Sequence, residues 1–261
     1  MKRFFGLLAA GLLAAMVRGE VRSANTFALV TVSSSSLTNT IVAVPWMGCG
    51  GDIRIDRLVW PEGLTTGDMV LAVTNGVTYA AWTLQADPSL GNGARSWQPI
   101  STVQKLESGH SAILADNDGR GTLACGNGFW LVRRNPAGSA FCLYGIWRNG
   151  PVSVTVKGGS AAAPVSTMLA HPDVSRAVDL NALAWPVDKI GPKDTLVVSL
   201  DAKTTRNYLW DGKKGKWYYG RTSIQNGAIA TEYVYDLASI PAGTGFWYVR
   251  RVADDFTLTF D

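Results

Sequence analysis

Asp68 and Asp194 each stand one residue before a similar apolar run, Met-Val-Leu-Ala-Val at 69–73 and Thr-Leu-Val-Val-Ser at 195–199. Two carboxylates at matching positions could be drawn together by a pseudo-twofold arrangement. They would then share one proton, as the two aspartates of aspartic proteases do, or flank a glycosidic bond. The surroundings depart from the aspartic-protease pattern, because neither Asp is followed by Thr/Ser-Gly. The competing reading is an Asp that closes a turn before a strand. Asp116, Asn117, Asp118 and Gly119 place oxygens and a turn glycine as the start of a Ca²⁺ loop would. The distal Glu of such a loop is missing, so no cofactor is expected, with Ca²⁺ on Asp116 and Asp118 as the alternative. His110, flanked by Ser108 and Ser111, and His171 are the two histidines. Sequence neighbours seldom form a triad, whose members are recognised by geometry. Gly-x-Ser-x-Gly, His-Glu-x-x-His and Cys-x-x-Cys are all absent.

A second set of residues points to binding. Tyr208 and Trp210 precede Asp211-Gly212, and Trp217, Tyr218 and Tyr219 follow it. An Asp-Gly pair between aromatic runs is a hairpin signal. The five rings are the candidate ligand-binding face, offered to sugar faces, with Lys213 and Lys214 at the tip. Those lysines, with Arg206 and Arg221 nearby, are either a solvated tip or an anion site.

These residues need a scaffold of strands. Runs of β-branched and aromatic residues, bounded by Gly, Pro, Asn and Asp, predict strands near 39–44, 53–60, 69–74, 78–84, 95–99, 128–134 and 140–145. The second half repeats them near 166–171, 178–185, 195–200, 206–211, 216–220, 245–251 and 255–260. A further strand is expected over Val152–Val156, and residues 157–164 read as a linker. The last two strands of the first half are expected to pair around residues 135–138. That would put Cys142 opposite Val132 and favour Cys49–Cys125 over Cys125–Cys142, three buried thiols being the alternative.

The two sets align in order. Gly-Asn-Gly-Phe-Trp-Leu-Val-Arg-Arg at 126–134 matches Gly-Thr-Gly-Phe-Trp-Tyr-Val-Arg-Arg at 243–251, and Asn39 to Pro45 matches Ser166 to Pro172. Trp60, Trp82, Trp97 and Trp130 are paired with Trp185, Trp210, Trp217 and Trp247, leaving Trp46 and Trp147 unmatched. The expected fold is therefore all-β. It has two homologous antiparallel β halves, small barrels or sandwiches, related by internal duplication over 25–150 and 160–261. Within 128–134, alternation sends Phe129, Leu131 and Arg133 to one face and Trp130, Val132 and Arg134 to the other. Large groups on both faces predict a central strand. The Asn39–Pro45 opening, Trp82, Trp97 and the Gly126–Trp130 closing strand resemble those of a family of uncharacterised secreted or surface β-repeat proteins of bacteria. The resemblance implies export and an all-β fold, and carries no activity with it.

Composition narrows the function classes. With 47% hydrophobic and 17% charged residues, the chain is no disordered polyelectrolyte. Lys2 and Arg3 precede an uncharged apolar run over 4–17, so residues 1–23 read as a secretory signal peptide, an uncleaved anchor being the alternative. Loss of residues 1–19 would remove Lys2, Arg3 and Arg18, leaving 21 basic against 20 acidic groups and a net charge of +1. Nucleic acid is thus not an expected partner, and no later run is long enough to span a membrane. The expectation is a secreted, non-catalytic binding or cell-surface protein that engages glycan or mucin-like polymers or an extracellular protein polymer. The alternatives are a secreted hydrolase, an aspartic-type peptidase or glycosidase, working through Asp68 and Asp194, and a binder of anionic polymer or nucleic acid.

Overall fold

The computed structural model describes residues 26–34, 39–43, 53–55, 60, 63–73, 79–91, 93–100, 122–124, 126–134, 139–147, 151–171, 177–200, 204–225 and 228–260. The first half contributes β1 (Thr26–Ser34), β2 (Asn39–Ala43), β3 (Ile53–Arg54), β4 (Met69–Val73), β5 (Tyr79–Ala86), β6 (Arg95–Pro99), β7 (Thr122–Leu123), β8 (Gly128–Val132) and β9 (Ser139–Trp147). The second contributes β10 (Val152–Val156), β11 (Val165–Ala170), β12 (Thr195–Ser199), β13 (Thr205–Asp211), β14 (Lys216–Gln225), β15 (Ala228–Val234), β16 (Gly245–Arg250) and β17 (Phe256–Phe260). The protein is all-β, and the pairings between these strands are antiparallel.

The sheets are open. One runs β2-β8-β4-β5-β6 and the other β11-β16-β12-β13-β14-β15, with β6 and β15 as edge strands among the described residues. Of the two architectures expected, closed barrels therefore fall away. In the second half the β10–β17 ribbon covers the sheet. Alternate residues Val152, Val154 and Val156, with Phe256, Leu258 and Phe260, join one core with Leu196, Val198, Phe246 and Tyr248. That is a sandwich of unequal layers, held by the apolar face that period-2 alternation creates.

The two halves share several local features. Ile53 pairs with Leu123 as Val178 bridges Ile240. Trp60 donates to the Ile55 carbonyl at 2.9 Å as Trp185 donates to the Leu180 carbonyl at 2.6 Å. Ribbon β1–β9 stands to its sheet in chain order as β10–β17 does. β8 and β16 are central, as their two-faced pattern predicts. The halves meet reciprocally: Val42 bridges Thr244 and Leu169 bridges Asn127. Trp130 and Trp247 touch edge to face, ring centres 5.6 Å apart.

Several expectations are corrected. Of the strand expected over 53–60, β3 covers Ile53–Arg54 and residues 56–59 lie outside the described residues; the one expected over 178–185 is replaced by a bridge at Val178 followed by a 3₁₀ turn at Leu180–Ala182. β9 pairs with β1 rather than β8, and Cys142 lies opposite Thr31, not Val132. The run read as a linker, 157–164, is held by hydrogen bonds to the end of the second half. Gly158 N–H donates to Asp255 at 2.7 Å and Gly159 N–H to the Val252 carbonyl at 2.8 Å. A Cβ on Gly159 would sit 2.5 Å from the Arg250 carbonyl oxygen, so only glycine passes there.

Candidate functional site

The two aspartates are walled in. Asp68 and Asp194 both have 0% exposure. Asp194 accepts from Gly191 N–H at 2.9 Å, Arg251 N–H at 2.7 Å, the Tyr248 hydroxyl at 2.8 Å and Arg250 Nη1 at 3.1 Å. Asp68 accepts from Thr65 N–H at 2.9 Å and Arg134 N–H at 2.6 Å, with Arg133 Nε 3.9 Å away. Arg133 also donates to the Gly63 carbonyl, and Arg250 to the carbonyls of Lys189 and Asp254. Each carboxylate thus ties a turn, the end of the central strand and a buried arginine together within its own half. Burial and the neighbouring Asp194 charge push the Tyr248 phenol far above the ordinary tyrosine range, which holds it as a donor. No hydrogen bond joins Asp68 to Asp194. A buried charge needs such satisfaction simply to be tolerated, and a group with no exposed surface offers nothing to a polymer.

The expected aromatic face divides in two. Trp217 and Tyr208 are fully buried and Trp210 nearly so. They belong to the core, where Trp217 meets Trp185, Trp210 and Tyr248 edge to face. Among the described residues the Nε1 groups of Trp97 and Trp217 find no hydrogen-bond acceptor. Aromatic faces around Trp217 are the weak acceptors on offer there. Those three residues are therefore corrected from ligand platform to core. Tyr219 is half-buried, with the Arg206 guanidinium 4.3 Å over its ring and Arg221 donating to its hydroxyl at 3.1 Å. Arg206 and Arg221 thus both contact Tyr219.

The turn explains the division. Asp211 pairs with Lys216, so the loop is residues 212–215 rather than a two-residue Asp-Gly turn. Asp211 Oδ1 accepts from the N–H groups of Lys213 at 2.9 Å and Lys214 at 3.2 Å. Gly215, at φ +62°, closes the loop with its N–H on the Asp211 carbonyl at 2.8 Å. This sets Trp210 opposite Trp217 and Leu209 opposite Tyr218. The tryptophans face in; Leu209 and Tyr218 face out.

On that outer face lies a cluster of tyrosines. Tyr218 packs edge to face on Tyr233, ring centres 5.2 Å apart, and against Tyr235 at 5.5 Å. Tyr233 is 61% exposed. Lys214 Nζ stands 3.8 Å over the Tyr235 ring, and the Tyr235 hydroxyl donates to Asp211 Oδ2 at 2.7 Å. That hydrogen bond pushes the Tyr235 phenol up to about 12, and holds the Asp211 carboxyl below the ordinary range. Flat apolar rings beside a cation, a carboxylate and phenol hydroxyls can stack on and hydrogen-bond to a hydroxylated ligand. Tyr233 and Tyr235 were absent from the sequence expectation. Their signal was the alternation Ala-Ile-Ala-Thr-Glu-Tyr-Val at 228–234, which is β15.

Asp116 and Asp118, His110 with Ser108 and Ser111, Trp46, Cys49, Cys125 and residues 1–23 lie outside the described residues, as does the side chain of Trp147. His171 is buried with its ring 5.3 Å from Phe260. Among the described residues no group of three or more His, Cys, Asp or Glu is placed to hold a metal ion, and no helix is long and apolar enough to cross a membrane. Comparison with protein-family models, curated proteins and solved structures finds no match to this chain.

Proposed function

We propose that the chain is an exported, non-catalytic binding protein that engages glycan or mucin-like polymers through the outer face of its second sheet. The observation that carries this reading is the Tyr218–Tyr233–Tyr235 cluster, rimmed by Lys214, Asp211 and the partly exposed Leu209. Contiguous exposed aromatics on a rigid sheet are costly to solubility and mark interaction surfaces. The basic start and apolar run of residues 2–17 support export. The matched clamps at Asp68 and Asp194, the matched indole bonds of Trp60 and Trp185 and the reciprocal bridges between halves support descent of both halves from one copied unit. On that reading the first half is scaffold and the second carries the binding face. The kinship with secreted bacterial β-repeat proteins belongs to the same proposal. A hydrolase working through Asp68 and Asp194 would need both carboxylates uncovered, and their burial argues against it.

A glycan array tests the reading. The unsubstituted protein is expected to retain a subset of polymers, and the Tyr218→Ala/Tyr233→Ala variant to lose them while keeping its cooperative unfolding. Retention by the variant at undiminished strength would reject the tyrosine face, and no retention by either protein would reject glycan as the ligand class.

A further inference from the structure

Among the described residues strand β15 is an edge with little protection. The β13–β14 ladder ends at Leu209 and Tyr218, whereas β14 and β15 stay paired without interruption from Tyr219–Val234 to Gln225–Ala228. Past Tyr218, then, β14 has β15 as its ladder partner, and among the described residues no strand pairs with the other edge of β15. Sheet edges are usually guarded by lysine, proline, a bulge or brevity. The opposite sheet follows that rule, for its edge strand β6 begins with Arg95 and ends with Pro99. β15 has seven residues, no lysine, no proline and one charge, Glu232. Its outer face is largely apolar: Ile224 and Ile229 lie opposite each other, each 78% exposed, and Tyr233, further along the strand, is 61% exposed.

We propose that β15 is a homotypic docking edge, pairing antiparallel with β15 of a second copy about a twofold axis at Thr231. The occupant follows from the strand's self-complementarity. With Thr231 opposite itself, Ile229 faces Tyr233 of the second copy twice, an aromatic and β-branched pair of the kind that stabilises sheets. Glu232 faces Ala230 twice, and each Glu232 keeps Arg221 across from it in its own arm. A shift that centres the axis on Glu232 instead would set like charges against each other, which selects the Thr231 register. A twofold contact closes on itself, so the product is a dimer rather than a fibre. The two outer faces come to lie on the same side of one joined sheet. The resulting bivalency toward a repeating polymer rests on the glycan reading; the pairing does not.

Sedimentation of the full chain over a wide concentration range tests the pairing without any ligand. A monomer–dimer equilibrium is expected. Thr231→Lys and Thr231→Glu, both at an exposed site on the axis, should each weaken dimerisation by roughly tenfold or more, a shift of ~1.4 kcal/mol. Mixing the two variants should restore a mixed dimer that weakens with added salt. Ile229→Lys should weaken the dimer independently. An unsubstituted chain that stays monomeric throughout, open-ended oligomers, or a dimer indifferent to all three substitutions would overturn the proposal.

Discussion

A carboxylate in a protein core survives only when donors replace its lost water. Asp194 has four such donors, and Asp68 has two backbone donors and an arginine at longer range. Those donors hold each carboxylate in place, and the arrangement predicts a stability effect. Asp194→Ala strands the fully buried Arg250 guanidinium, and urea unfolding should show a loss of about 3–5 kcal/mol. Tyr235 gives a second prediction at this scale. Its folded pKa is raised from 10.0 to about 12, so its share of stability is intact below pH 10 and is lost as pH rises through about 12. Asp211 behaves oppositely: its contribution is present above its unfolded value and is lost as pH falls through the lowered one. In a spectroscopic alkaline titration Tyr235 should ionise late, and Asp211→Asn should return it toward 10.0. The sequence located both aspartates and placed each before a strand. Their donors come from turns and from a strand some 57 to 66 residues away, and such distant partners leave no local trace in the sequence.

At the scale of elements, alternation and turn residues were enough to find most of the strands and the two-faced central pair β8 and β16. Register was harder. Val70 pairs with Trp82 as Leu196 pairs with Tyr208, and Leu84 pairs with Trp97 as Trp210 pairs with Trp217. Trp210 thus corresponds to Leu84, not to Trp82 as the order of tryptophans suggests. A slip of two residues keeps every side chain on its own face, so hydrophobic pattern alone cannot expose it. The same ambiguity hid which rings of the hairpin face solvent, because that depends on the four-residue loop. Close backbone approach is likewise invisible in composition. Gly159→Ala should lower stability by about 1–3 kcal/mol through forced displacement of the Arg250 and Val165 backbone. Gly212→Ala, whose nearest neighbour would be 3.9 Å away, should stay within about 0.5 kcal/mol. Thermal unfolding of the pair separates packing strain from any general cost of losing glycine.

Across the whole molecule, the halves are joined through matched positions. Val42 and Leu169 exchange bridges with Thr244 and Asn127, and Ala170 N–H donates to the Gly126 carbonyl at 2.9 Å. Gly126, at φ +84°, lies so close to β10 that a Cβ there would meet Val154 at 2.5 Å. Leu71, Ala81, Trp130 and Val132 of the first sheet close over Trp247 of the second. A double-mutant cycle on Trp130→Ala and Trp247→Ala should therefore give a coupling of about 0.5–1.5 kcal/mol. Additive losses would mean that the halves fold side by side without support. This shared body leaves the outer face of β13, β14 and β15 as the exposed aromatic surface. Chemical-shift mapping by NMR, with a mucin-type polysaccharide titrated into the intact protein, tests that claim most directly. The account predicts shifts centred on Leu209, Lys214, Tyr218, Tyr233 and Tyr235, with Trp217 and Asp194 undisturbed; shifts centred on Asp68 and Asp194, or none at saturating polymer, would contradict it.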